Sequence, residues 1–214
     1  TGTVGSTSVT VVEQHSIWRV GPGDAVLLHQ SRGTGVGNWE LNWAVSDFVG
    51  SGTYTLRNPL KYTYIDGAQI ALIPMFSTCN ITGTVTPLAP WNGTWGGILA
   101  VICRDTMTVS GTLNANGTGY RGGIMPDSGW ISNGNSGESQ LGPSMIGNGY
   151  YGNGGGGAGG CDYSATGGSG ASYGTEGTNG GGNGCASPHR MGYSYGEETL
   201  DRLFFGSGGG SAGG

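Results

Sequence analysis

The segment Ile81-Thr82-Gly83-Thr84-Val85 recurs 28 residues later as Val109-Ser110-Gly111-Thr112-Leu113. Both copies place a Gly-Thr pair between apolar ends, and the run ILAVIC at 98–103 between them is apolar on both faces. Strands that return at a fixed interval, with Gly and Asn at the corners, are typical of the stacked coils of a β-solenoid. A β-sandwich is the alternative that two copies of a repeat leave open.

Short alternating runs of the same kind fill residues 1–124, separated by Gly, Pro, Asn and Asp. The clearest runs lie at 8–12, 17–20, 25–29 and 38–48. In the last run Trp39, Leu41 and Trp43 share one face at the two-residue period of a strand. Only the short stretch 197–205 has a trace of helical periodicity. The sequence therefore predicts an all-β protein whose first domain, 1–124, is solenoid-like or a sandwich.

Glycine dominates the rest of the chain, with 49 glycines among 214 residues and tracts at 154–157, 180–182 and 208–210. Such composition is typical of flexible linkers, but large apolar residues such as Trp130, Leu141 and Phe205 are interspersed here. Extended three-residue helices can lie side by side where side chains are missing, with hydrogen bonds between their backbones. We therefore expect residues 125–214 to form an ordered, polyglycine II-like second domain.

The four cysteines, Cys79, Cys103, Cys161 and Cys185, fall into two pairs, each with members 24 residues apart. Pairing within each half is the simplest of the three disulfide connectivities. Four free buried thiols are the alternative. The sequence has no Cys-x-x-Cys spacing, so it offers no zinc or thioredoxin-type motif.

Composition and motifs argue against several classes of function. The formal net charge is -5 and Lys61 is the single lysine, so a nucleic-acid partner is not expected, and no apolar run is long enough to span a bilayer. The G-x-S-x-G match around Ser211 lies in a terminal glycine tract. Glycoside hydrolysis needs a pair of carboxylates, but the sequence spacing of Glu138 and the other acidic residues favours no particular pair. We predict no catalytic residue, metal or cofactor. The N-glycosylation patterns that begin at Asn80, Asn92 and Asn116 are expected by chance in this composition.

Seven segments together resemble a module of large bacterial surface proteins. They are GDAVLLHQ at 23–30, LRNPLK at 56–61, GAQ at 67–69, APWNGTWGGILA at 89–100, VSGTL at 109–113, GTGYRGG at 117–123 and FFGSGGG at 204–210. The resemblance covers nearly the whole chain, and the tryptophan block is its most specific part. Members of this family are glycine-rich, adhesin-like or gliding-associated, and similar glycine blocks occur in phage tail-fibre adhesins. Because the chain begins at Thr1 and stops within the glycine block, we expect a processed form, a fragment or a shorter relative.

The resemblance implies an extracellular or cell-surface protein that is not an enzyme. Our main hypothesis is a homo-oligomeric structural subunit of a filament or adhesive fibre, joined by strand pairing or donation. A donated strand would lie in residues 3–12, which otherwise form the first strand of their own sheet; its apolar residues are Val4, Val9, Val11 and Val12. The alternative is an adhesin module that binds a glycan or receptor, with candidate contacts Tyr150, Tyr173 and Tyr193.

Overall fold

The computed structural model describes residues 1–13, 19–124, 134–140, 142, 167–180 and 192–211. Over these residues the chain forms β-strands and no helix, which confirms the predicted all-β class. The strands are β1 (Ser8–Val11), β2 (Ala25–Gln30), β3 (Trp39–Trp43), β4 (Gly52–Thr55), β5 (Ala68–Ile73), β6 (Met75–Ile81), β7 (Thr84–Val85), β8 (Ile102–Val109) and β9 (Thr112–Leu113).

The trace of helical periodicity at 197–205 does not correspond to a helix. Leu200 has a φ of 58°, in the left-handed region that a right-handed helix excludes. Its N–H donates to the Glu197 carbonyl at 3.2 Å, which closes a turn. The apolar residues of this stretch therefore follow a bent, extended path.

The chain divides into two compact units. The first unit contains Thr1–Leu88 and Ile98–Ala115, and the second contains Ala89–Gly97 and Asn116–Gly214. The second unit therefore takes in the tryptophan block and residues 116–124, which the sequence analysis placed with the strand-rich domain 1–124.

A three-stranded antiparallel sheet in the order β3-β2-β5 forms the centre of the first unit. All six residues of β2 are buried. Because side chains alternate along a strand, Val26 and Leu28 belong to the larger apolar cluster, which we call the main core. Ala25 and Leu27 belong to a second, smaller cluster on the opposite face. Covered faces on both sides explain why this strand is a nearly continuous apolar run.

The next strand, β3, buries its polar residues. Glu40 and Asn42 are buried, whereas Leu41 is exposed and Trp39 and Trp43 are half-buried against the second cluster. Glu40 accepts the backbone N–H of Lys61 on both carboxylate oxygens at 3.1 Å. The predicted alternation of β3 is therefore correct, but the face that points toward the main core is the one with Glu40 and Asn42. These polar groups can be buried because they form hydrogen bonds with nearby backbone.

The second unit has no named strand among its described residues, and backbone hydrogen bonds join its extended segments. The Gly123 N–H donates to the Gly209 carbonyl at 2.8 Å, and the Gly208 N–H donates to the Glu138 carbonyl at 2.9 Å. Side chains are excluded where segments approach closely. A Cβ atom at Gly208 would lie 2.7 Å from the Gly122 nitrogen, which is closer than real Cβ atoms approach. Three rings, Trp91, Tyr120 and Phe205, form an edge-to-face cluster with centroids 5.3–5.6 Å apart.

Candidate functional site

The two copies of the sequence repeat lie side by side in the first unit. We call residues 75–85 and 102–113 the stacked repeat, with 75–85 as its first copy and 102–113 as its second. Strand β6 runs parallel to β8, and β7 runs parallel to β9. Ile81 pairs with Val109 and Val85 pairs with Leu113, so the spatial register equals the 28-residue interval of the sequence.

The corners of the two copies are joined by backbone hydrogen bonds. The N–H groups of Ser110 and Gly111 donate to the Ile81 carbonyl at 3.0 and 2.8 Å, and the Thr112 N–H donates to the Gly83 carbonyl at 2.9 Å. The Asn114 N–H continues the ladder to the Val85 carbonyl at 2.9 Å. The parallel ladder therefore extends through the Gly-Thr corner of the repeat.

The two equivalent glycines of the repeat have different surroundings. A Cβ atom at Gly111 would lie 2.7 Å from the Thr82 carbonyl carbon and 2.8 Å from the Gly83 nitrogen, and nearer still to the Gly83 carbonyl oxygen. A Cβ atom at Gly83 would meet nothing within 4 Å among the described residues. Neither glycine has a left-handed φ. Gly111 is therefore required by the close approach of the first copy, whereas none of the described residues requires a glycine at position 83.

A disulfide between Cys79 and Cys103 cross-links the two copies. The two Cα atoms are 5.9 Å apart, within the usual range for a disulfide. The register shifts between Phe76 and Thr78, where a bulge changes the pairing interval from 27 to 28 residues. This is the pairing that the sequence favoured for the first half; the second pair, Cys161 and Cys185, lies outside the described residues.

The outer edges of the stacked repeat have no strand partner in the part of the chain that the structure describes. There, β6 pairs with β8 alone and β7 pairs with β9 alone. Large apolar side chains are exposed along both copies: Phe76 is 52% exposed, and Val109 and Leu113 are 45% and 44% exposed. Another β-strand can pair with an unpaired edge of this kind and so extend the sheet.

The predicted donated strand is already paired within its own chain. Strand β1 is antiparallel to β4, and Val9 is buried in the main core opposite Tyr54. Val11 packs against the same core, while Val4 and Val12 are exposed. In the single chain, residues 8–11 thus form the first strand of their own sheet, which is the alternative that the sequence left open. Donation of residues 3–12 to another chain stays a prediction.

Two of the three predicted ligand-contact tyrosines are exposed in the second unit. Tyr173 is 42% exposed and Tyr193 is 55% exposed. Their segments are adjacent, because the Ser172 hydroxyl donates to the Tyr193 carbonyl at 2.7 Å. Tyr195 lies edge-to-face against Tyr173 with ring centroids 5.2 Å apart, and burial raises the pKa of Tyr195 to about 12. Tyr150 lies outside the described residues.

Glu138 has a role that its sequence context did not indicate. Its carboxylate is buried and accepts the indole N–H of Trp91 at 3.0 Å and the backbone N–H of Arg121 at 3.1 Å. The Arg121 guanidinium pairs with the other carboxylate oxygen. This carboxylate therefore ties the tryptophan block to the glycine-rich segments, a link between residues far apart in sequence.

Other polar residues with a motif or a reactive side chain are also used structurally. Ser211, the serine of the G-x-S-x-G match, is buried, and its hydroxyl accepts the Asn135 N–H at 2.7 Å. His29 is buried and forms a 2.8 Å hydrogen bond with the Ser31 hydroxyl. Within the described residues, no three His, Cys, Asp or Glu side chains gather in a way that would hold a metal ion.

Comparisons with known proteins add no relative. No family model matches the chain, and no curated protein or solved structure is significantly similar to it. Among the residues described, the structure contains no helix long and apolar enough to cross a membrane.

Proposed function

We propose that this protein is a non-enzymatic, extracellular structural protein, a self-assembling subunit of a surface filament or adhesive fibre. The observation that carries the proposal is the in-register, parallel pairing of β6 with β8 and of β7 with β9, with both outer edges unpaired among the described residues. Edges of this kind are normally covered, charged or kept short in proteins that remain monomeric. The exposed apolar side chains of Phe76 and Leu113 would be buried on pairing with another chain and so favour association at these edges.

The stacked repeat supports a solenoid-like architecture within this subunit. In a β-solenoid each coil contacts its neighbours, and an uncapped terminal coil can accept a further coil. Two coils at a 28-residue interval, joined by a corner ladder and a disulfide, are the smallest unit of such a stack. The disulfide keeps the two coils in register before a neighbouring chain arrives.

In this proposal the second unit acts as a rigid coat or spacer built from polyglycine II-like segments. The Gly170 N–H donates to the Thr178 carbonyl at 2.7 Å, and the Gly210 N–H donates to the Ser169 carbonyl at 3.0 Å, so each segment serves its neighbours. A Cβ atom at Gly137 would lie 2.9 Å from the Gly208 Cα. Backbone contacts as close as these need glycine and give a layer that is thin and densely hydrogen-bonded.

The extracellular assignment is supported by the disulfide between Cys79 and Cys103 and by the resemblance to bacterial surface proteins. Disulfides persist in oxidising compartments and are rare in the cytosol. The low charge and many hydroxyl and glycine residues are consistent with a protein that is exposed outside the cell.

Negative-stain electron microscopy and analytical ultracentrifugation of the purified chain test the proposal. We expect regular filaments at micromolar concentration and a sedimentation profile that depends on concentration. Discrete monomers at every concentration, with the disulfide intact, would contradict it. A sample with Cys79 and Cys103 reduced provides the comparison, because loosened coils should assemble less well.

A second function, an adhesin module that binds a surface glycan or receptor, is favoured by the exposed rings of Tyr173 and Tyr193. Tyrosine rings stack on the apolar faces of sugars while the hydroxyl remains in water. A glycan array with the wild type and the Tyr173→Ala/Tyr193→Ala variant tests it. Leu200→Ala is the matched control, since Leu200 is 55% exposed in the same unit. Binding that the tyrosine variant retains would refute this alternative.

A further inference from the structure

We infer that chains join head to tail, with the β8–β9 edge of one chain stacked in parallel on the β6–β7 edge of the next, at the register that the chain uses internally. Gly83 then occupies at each junction the position that Gly111 occupies within the chain. This inference rests on the proposed assembly and specifies its polarity, its register and its determining residue.

The two copies of the stacked repeat have complementary edges. Within the chain, the second copy already pairs with the first: Ile81 is the partner of Val109, and Val85 is the partner of Leu113. The outer edge of the second copy repeats the inner edge of the first, and the outer edge of the first copy repeats the inner edge of the second. A junction between chains therefore repeats an interface that the molecule itself forms.

The two glycines of the repeat, Gly83 and Gly111, differ in their surroundings. They lie between positions that are paired at the same 28-residue interval, Ile81 with Val109 and Thr84 with Thr112, so we infer that their Cβ directions are equivalent. At Gly111 this direction leads into the backbone of the first copy, at Thr82 and Gly83. At Gly83 it leads to space that no described residue of the chain occupies. That space is where the repeat would place a preceding coil, and the next chain's second copy is the coil available to fill it.

The charge and symmetry of the two edges also favour head-to-tail stacking. Residues 75–85 contain no charged side chain, and 102–113 contain only Arg104 and Asp105, which have opposite signs. Head-to-tail stacking therefore brings no like charges together across the new pair of strands. Because the two edges of the junction differ, the contact is heterologous and leaves a free edge at each end, so it does not close into a two-fold dimer and can extend into a filament.

Gly83→Ala tests the inference. The added methyl group meets nothing among the described residues of its own chain but would enter the backbone of the neighbouring coil. We therefore expect a monomer melting temperature that is unchanged or slightly raised. We expect a critical concentration for assembly that rises roughly a hundred-fold, as the loss of three backbone hydrogen bonds at each junction implies. Gly174→Ala is the matched control, because Gly174 is equally open, has no left-handed φ and lies in the second unit. Filaments of Gly83→Ala at the wild-type critical concentration would overturn the inference while leaving the proposed function intact.

Cysteine cross-linking tests the polarity and register independently of that variant. Thr84 and Thr112 are partners in the parallel ladder. Mixed filaments of Thr84→Cys and Thr112→Cys chains should give, after mild oxidation, a disulfide-linked dimer of one chain of each kind. Peptide mapping then identifies the new bond. Cross-linking of Thr112→Cys chains to each other, or filaments with no bond between positions 84 and 112, would overturn the head-to-tail arrangement. Wild-type chains that form no filament would refute the proposed function itself.

Discussion

Gly111→Ala is a substitution for which the structure predicts a large local effect from a single methyl group. The new Cβ atom would lie 2.7 Å from the Thr82 carbonyl carbon and 2.8 Å from the Gly83 nitrogen. Ordinary contacts of this kind are about 3.5 Å, so the two copies of the repeat must move apart by about 1 Å. A movement of that size stretches the corner hydrogen bonds, now 2.8–3.0 Å long, beyond their effective range.

The magnitude follows from the number of bonds that are lost. Three corner hydrogen bonds, donated by Ser110, Gly111 and Thr112, contribute about 1 kcal/mol each. Alanine reduces the entropy of the unfolded chain and returns about 0.4–1 kcal/mol. We therefore expect Gly111→Ala to lower the free energy of unfolding by about 2 kcal/mol. Gly83→Ala has only the favourable term and should leave the monomer unchanged or slightly more stable.

Urea denaturation of both variants, followed by tryptophan fluorescence below the concentration at which filaments form, measures this difference. The two substitutions are chemically identical and lie at equivalent positions of the repeat, so the comparison isolates the stacking contact. Equal unfolding midpoints for Gly111→Ala and Gly83→Ala would refute the reasoning, because the two glycines would then have equivalent surroundings in solution.

Three further predictions concern the covalent link and the second unit. Replacing Cys79 and Cys103 by Ser should lower the free energy of unfolding by about 3 kcal/mol in urea titrations, since the bridge closes a 24-residue separation. Glu138→Ala should cost about 3 kcal/mol and Glu138→Gln less, because glutamine retains an acceptor oxygen; calorimetry compares the two. Tyr195 has its pKa raised from 10.0 to about 12, so its contribution is complete below pH 10 and is lost as pH rises toward 12. Stability measured on both sides of pH 10 should therefore fall less in Tyr195→Phe than in the wild type.

The sequence predicted the strands more accurately than their partners. Alternation identified β2 and β3 and placed Trp39 and Trp43 on one face, but it did not indicate that Glu40 occupies the other, buried face. Burial of Glu40 depends on the Lys61 N–H, which the chain brings there from 21 residues away. The interpretation of residues 3–12 had the same limit, because nothing within that segment identifies β4 as the partner of Val9.

The repeat is the part of the candidate site that the sequence determined by itself. Two copies at a 28-residue interval, with Gly-Thr at the same position, already contain the register of β6 with β8 and of β7 with β9, since parallel strands stack at the period of their repeat. The glycine content likewise indicated close backbone approach in the second unit.

Only the tertiary structure decided which edges remain open and which glycine is enclosed. Gly83 and Gly111 hold equivalent positions in the sequence repeat, yet Gly111 is enclosed by backbone, whereas Gly83 has no neighbour within 4 Å of its Cβ position among the described residues. The role of Glu138 was also decided by the tertiary structure, because its hydrogen-bond partners Trp91 and Arg121 come from separate segments. Local pattern sets the conformation of a segment, but contact and exposure depend on which distant segment lies beside it, and folding alone brings those segments together.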